Sequence, residues 1–274
     1  TAGQRVVEKA LTARPVKLDL GGPKVATWAY GDAAPGSLIR ATAGDFLRIT
    51  LDNQLPEDTT IHWHGIRLRQ PADGVPKVTQ AAIKPGTKFV YEFTAPDPGT
   101  YFFHPHVGPQ LDRGLYAPLV IDDPREPGTY DAEWIVVLDD WVDGTGRTPD
   151  DVLAKLIADG GKASPSSMGS MDGIGGVDHG SHGASTSTQP WGDASDVTYP
   201  YFLANGKVPT SPETFTARPG QRVRLRIINA ASATVFWVDT GALDTRLVAV
   251  DGEPVVPLPG RRFGIAMGQR LDLQ

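Results

Sequence analysis

Six histidines occur in the chain and all fall in close pairs: His62-Trp63-His64, His104-Pro105-His106 and His179-Gly180-Ser181-His182. In an extended segment, residues i and i+2 project to the same side with Cα atoms about 6.5–7 Å apart, so each H-x-H aims two imidazoles at one space. Two such pairs that converge supply four nitrogen ligands. That spacing is wider than one metal demands of two ligands on a single strand, so H-x-H can feed neighbouring metals as well as one. Imidazole suits copper, zinc, iron and nickel. A lone histidine beside aromatics is usually a partly buried residue with satisfied hydrogen bonds. Two H-x-H pairs, each following a β-type run, point instead to a metal site. The third pair lies in residues 160–190, which hold 8 Gly and 7 Ser and little apolar material. A flexible loop is expected there, and Met168, Met171, His179 and His182 make it a candidate soft-ligand site.

The elements that must position these side chains are strands. Val16–Leu20, Phe46–Leu51, Phe89–Phe93 and, less regularly, Leu115–Ile121 alternate apolar and polar residues, the period of a half-buried strand. Turn clusters such as Gly21-Gly22-Pro23, Asp73-Gly74 and Pro96-Asp97-Pro98-Gly99 separate them. With 31 Gly and 24 Pro, about a fifth of the 274 residues break regular structure, against about 12% in average proteins. Many short strands with frequent breakers indicate a sandwich or barrel. The length suits two domains. The polar, proline-containing stretch Asp122–Gly128 reads as a linker, which divides the chain into residues 1–125 and 126–274.

One helix is expected near residues 149–159, with Thr148 as N-cap, Pro149 in the first position and Asp151 closing a capping box. In Arg222–Ile228 the arginines alternate with apolar residues, which predicts a solvated strand face, with anion binding as the alternative. The net charge of −6 gives no basic footprint, so nucleic acid and anionic membrane are poor partners. No run reaches the roughly 18 apolar residues of a membrane helix, and the first residues lack an apolar leader region. Cysteine is absent, which leaves His, carboxylate and Met as metal ligands.

Taken in order, Thr60-Ile61-His62-Trp63-His64-Gly65, Asp73-Gly74-Val75-Pro76, Gly99–His106 and Gly114-Leu115-Tyr116 resemble the first cupredoxin domain of multicopper oxidases, the laccase and ascorbate oxidase family. Val137–Trp141, Leu203-Ala204-Asn205-Gly206, Arg222–Ala230 and Gly268–Asp272 resemble the second. The resemblance implies an all-β fold of two cupredoxin-like Greek-key β-barrel domains. It implies one-electron oxidation of a small reducing substrate, a phenol or metal ion, coupled to reduction of O2 to water in an extracellular or periplasmic setting. By motif position His62 resembles the type 2 copper ligand, His64 and His104 ligands of one type 3 copper, and His106 a ligand of the other. Asp73 resembles the carboxylate that assists proton delivery, with a plain Asp-Gly turn as the alternative.

The departures carry equal weight. A type 1 copper site needs a Cys, and the family's H-x-x-H-x-H and H-C-H motifs are missing, so half of the trinuclear ligands are here. The expectation is two domains of a three-domain oxidase, inactive by themselves. A two-domain laccase would still need H-C-H. A copper-free interaction protein with this fold would have no use for both H-x-H pairs. A copper-buffering protein without oxidase chemistry remains the principal alternative.

Overall fold

Alternating apolar residues define the strands, and in the structure, a computed structural model describing residues 3–126, 130–160 and 197–274, they pair in two groups. In the first half β1 (Val6–Asp19), β2 (Lys24–Tyr30), β4 (Phe46–Asn53) and β6 (Lys88–Thr94) form a sheet in the order β2-β1-β4-β6. Opposite it, β3 (Ile39–Thr42), β5 (His62–His64), β7 (Gly99–His104) and β8 (Ala117–Asp122) pair in the order β3-β8-β7-β5. The chain passes back and forth between the two sheets, so β1 lies parallel to β4 and β3 parallel to β8. Leu47, Ile49 and Leu51 of β4 are fully buried while Arg48 between them is exposed, as a period of two requires. They meet Ile39, Trp63, Phe103 and Leu119 of the opposite sheet in one core.

The second half contains β9 (Ala132–Trp141), β10 (Tyr201–Ala204), β11 (Val223–Asn229), β13 (Arg246–Val250), β14 (Glu253–Pro259) and β16 (Arg270–Leu273). These form a six-stranded sheet in the order β10-β9-β11-β16-β13-β14, flanked by the pair β12 (Phe236–Asp239) and β15 (Arg262–Ile265). The fold is all-β and cupredoxin-like, as expected. Neither half closes into a hydrogen-bonded ring among the described residues. Short edge strands such as the three-residue β5 interrupt the ladder, leaving sheets packed face to face rather than closed barrels.

The halves share a core and a charge network. Leu18, Val25, Phe102 and Tyr116 pack with Val137, Trp141, Leu203 and Ile228. The arginine stripe of β11 departs from its expected solvated face. Arg226 is 3% exposed and bonds Glu133, Asp272 and Thr100, while Arg224 bonds Asp272 and Glu126. Across the boundary Arg40 of β3 holds both Asp122 and Glu133. A period of two distinguishes the faces of a strand but not which of them meets water. β11 lies inside its sheet with the first half against its polar face, so Arg226 is buried and Arg224 half-buried, both with carboxylate partners, while Arg222 just before the strand stays exposed as expected.

The α-helix Pro149–Gly160, α1, is the only one among the described residues. Its capping box forms as expected: Asp151 N–H donates to Thr148 Oγ1 at 3.2 Å, and Thr148 N–H donates to the Asp151 carboxylate at 2.9 Å. Thr148→Ala should cost about 1 kcal/mol locally. Hydrogen exchange of the first-turn amides should then quicken about fivefold while strand amides are unchanged.

Candidate metal centre

The pleat of β5 turns Trp63 inward and His62 and His64 to the opposite face. Trp63 is fully buried against Phe93 at 4.9 Å, Phe103 at 5.3 Å and Tyr91 at 5.7 Å between ring centroids, which anchors the strand. β5 runs antiparallel to β7 with His62 opposite His104 and His64 opposite Phe102. Directly opposed residues share a face, so the register itself brings the two H-x-H pairs together. Ring centroids of His62 lie 5.9, 5.5 and 4.4 Å from those of His64, His104 and His106. Phe102 stacks on His64 at 4.4 Å, fixing that imidazole from one side.

Hydrogen bonds settle which nitrogens face inward. His104 Nδ1 lies 2.9 Å from the Pro105 carbonyl and His62 Nδ1 lies 2.9 Å from the Asp73 carbonyl. Each Nδ1–H therefore donates outward, which leaves the lone pair on Nε2. The Asp73 carboxylate adds a contact at 3.3 Å to His62 Nδ1. Asp73-Gly74 is thus a turn that also reaches a histidine of the cluster. The His106 amide donates to Thr60 Oγ1 at 3.2 Å, tying the exposed His106 to the residues before β5.

His64 Nδ1 and His104 Nε2 are 3.1 Å apart, and one ligand atom from each of His62, His64 and His104 fits within 4.8 Å of the others. Two nitrogens at about 2.0–2.1 Å from one ion, at angles between square and tetrahedral, stand about 2.8–3.4 Å apart. The His64–His104 pair fits a single imidazole-bound ion such as copper. Burial, reinforced by repulsion from His104 and Arg270, pushes His64 down to about 3. Burial likewise pushes His104 down to about 4 and lowers His106. Both inner imidazoles are consequently neutral near pH 7, the state a metal ligand requires.

These shifts fix a pH dependence. The unfolded chain takes up protons on His64 and His104 below about 6.5, whereas the folded chain refuses them until about 4 and about 3. Stability is therefore fully present above pH 6.5 and declines as pH falls toward 4. Buried Asp112, lifted to about 7, acts in the opposite sense by holding a proton that the unfolded chain releases. Comparison with His64→Ala/His104→Ala separates the two: near pH 5 the wild type should bind about two more protons on unfolding than the double variant.

Two family models described as multicopper oxidase match residues 13–126 and 133–274. This chain belongs to the multicopper oxidase family. Among relatives, multicopper oxidase MmcO of Mycobacterium tuberculosis is 45% identical over 269 residues, covering 98% of this chain and 51% of that protein. Copper resistance protein A of Escherichia coli is 33% identical over 279 residues, covering 96% of this chain and 45% of that protein. The crystal structure of a multi-copper oxidase from Pseudomonas thermotolerans superposes with a TM-score of 0.77 at 31% identity, covering 99% of this chain and 58% of that one. The chain spans about half the length of the curated relatives it matches. Multicopper oxidases are copper proteins, and the histidine cluster is compatible with a copper site.

Of the residues singled out by sequence, His62, His64, His104, His106 and Asp73 converge. His179, His182, Met168 and Met171 lie outside the described residues. Sequence reasoning did not place Arg270 or Gly268 of the second half beside His64. Both stand in the Gly268–Asp272 motif, but nothing in a single sequence shows which distant strand such a motif meets.

Proposed function

We propose that this chain supplies half of the trinuclear copper ligands of an oxidase that couples one-electron oxidation of a small reducing substrate, a phenol or metal ion, to reduction of O2 to water. The observation that carries the reading is the convergence of two H-x-H pairs through the β5–β7 register, on a chain of the multicopper oxidase family. Copper bound here would supply one-electron redox chemistry and a site for O2. His62 serves a type 2 copper, His64 and His104 serve one type 3 copper, and His106 serves the other. Their lone pairs are oriented by the outward hydrogen bonds of His62 and His104. In this reading Asp73 carries protons between solvent and the cluster, which its contact with His62 and its partial exposure support.

Residues 1–125 form the copper-ligating domain and 126–274 the second. The remaining histidines and the Cys-bearing type 1 site come from outside this chain, in a third cupredoxin domain. An extracellular or periplasmic setting suits this reading. The test is oxygen uptake with a phenol or cuprous ions, measured on the 274-residue chain and on the complete polypeptide that carries it. The complete polypeptide should consume O2 and lose at least 100-fold activity on His104→Ala; the chain by itself should bind copper without consuming O2. Copper retention without oxygen uptake by the complete polypeptide would assign it to copper buffering instead.

A further inference from the structure

His64 is contacted by residues from both halves of the chain. Phe102 stacks on one face of the imidazole. On the other edge the turn before β16 approaches so closely that a Cβ on Gly268 would stand 2.9 Å from His64 Cε1 and 3.0 Å from Nε2. That turn is fastened by Arg270, whose side chain is 4% exposed. Its guanidinium donates to the carbonyls of Thr100 at 3.1 Å, Gly268 at 2.8 Å and Asp251 at 3.0 Å, and lies 3.3 Å from the Asp251 carboxylate. Thr100 belongs to β7, the strand that ends in His104, so this one side chain ties the Gly268 turn to that strand. The same guanidinium lies against the Cα of Gly65, next to His64, where a Cβ would meet Nη2 at 2.1 Å. A planar fork making three backbone hydrogen bonds fixes orientation in a way a flexible ammonium does not.

We propose that Arg270 is a positioning residue for His64: it seats Gly268 against the imidazole and the Gly65 turn against its own guanidinium, so that His64 Nδ1 faces His104 Nε2. The inference rests on the copper reading of the cluster. In consequence, ligand geometry in the first half depends on a side chain of the second, although that side chain touches no metal.

The test uses less than one equivalent of Cu(II) on the purified protein. Three readouts are taken: affinity by chelator competition, nitrogen hyperfine structure by electron paramagnetic resonance, and melting temperature. Arg270→Met and Gly268→Ala should each weaken Cu(II) binding at least tenfold and move the spectrum toward that of His64→Ala. Arg270→Lys, which keeps the charge and loses the fork, should fall between them and the wild type. Arg226→Met removes an equally buried arginine from the same boundary; it should lower the melting temperature yet leave affinity within twofold and the spectrum unchanged. Wild-type affinity and spectrum in Arg270→Met and Gly268→Ala, alongside a changed His64→Ala, would overturn the positioning role and leave the copper reading standing. An equal spectral change in Arg226→Met would overturn it too, because general loosening would then suffice. A silent His64→Ala would sink the copper reading itself. Should Arg270→Met fail to fold, Gly268→Ala and Arg270→Lys decide.

Discussion

Replacing His64 and His104 together by alanine should weaken Cu(II) binding to the cluster by two orders of magnitude or more. Changes to hydrogen-bond partners of ligands already cost about 10–100-fold in metal affinity, and here two ligands are removed outright. These are the pair whose nitrogens stand 3.1 Å apart, the separation suited to one shared ion. His62 and His106 would remain, but in the proposed assignment they serve different coppers. The fold should survive, because the knob that secures β5 is the fully buried Trp63 rather than either histidine. Truncating the buried His104 opens a small void beside Phe102, and the inner rings no longer resist protonation, so the stability change depends on pH. Chelator competition reads the affinity and far-UV circular dichroism the fold. Unchanged affinity in a folded double variant would remove copper binding from this cluster.

The site was legible in the sequence to an unusual degree because its geometry is local. In His62-Trp63-His64 the pleat alone puts both imidazoles on one face and the indole on the other, and the observed burial follows that alternation. Convergence of the two pairs depends on the β5–β7 register, which no single segment encodes and which came from family resemblance. Local signals also sufficed for α1, whose Thr148 and Asp151 make the reciprocal bonds their spacing predicts. The arginines of β11 show where local reading stops. Their alternation identified a polar face correctly, but that face is buried against the first half, where Glu133, Asp272 and Thr100 satisfy it. Arg270 escaped notice for the same reason: its partners Thr100, Asp251 and Gly65 are brought to it only by the packing of the halves.

Gly74→Ala should be among the most damaging single-methyl additions in the first half, and a second glycine provides its control. Gly74 has φ +75°, and a Cβ there would lie 1.7 Å from the Ile61 carbonyl oxygen and 2.4 Å from its carbon. Both are backbone atoms that cannot swing aside as a side chain could. Ile61 is itself fixed, since its side chain is fully buried and its N–H donates to Tyr91 Oη at 2.7 Å. The Asp73-Gly74 turn must therefore lift away from β5, taking with it the carbonyl that accepts from His62 Nδ1. At Gly86, φ +72° is nearly the same but nothing lies within 4 Å of the added Cβ. Gly86→Ala should lose only the left-handed backbone penalty, about 1–2 kcal/mol. Gly74→Ala carries that penalty plus the clash, and should lose about 3 kcal/mol or more in urea denaturation. It should also weaken Cu(II) binding about 10-fold or more, as expected when a ligand loses its orienting hydrogen bond, whereas Gly86→Ala leaves affinity unchanged. Because backbone strain is common to both variants, the difference between them isolates the close approach of the Asp73-Gly74 turn to Ile61. Equal losses would mean that this contact does not hold His62 in place.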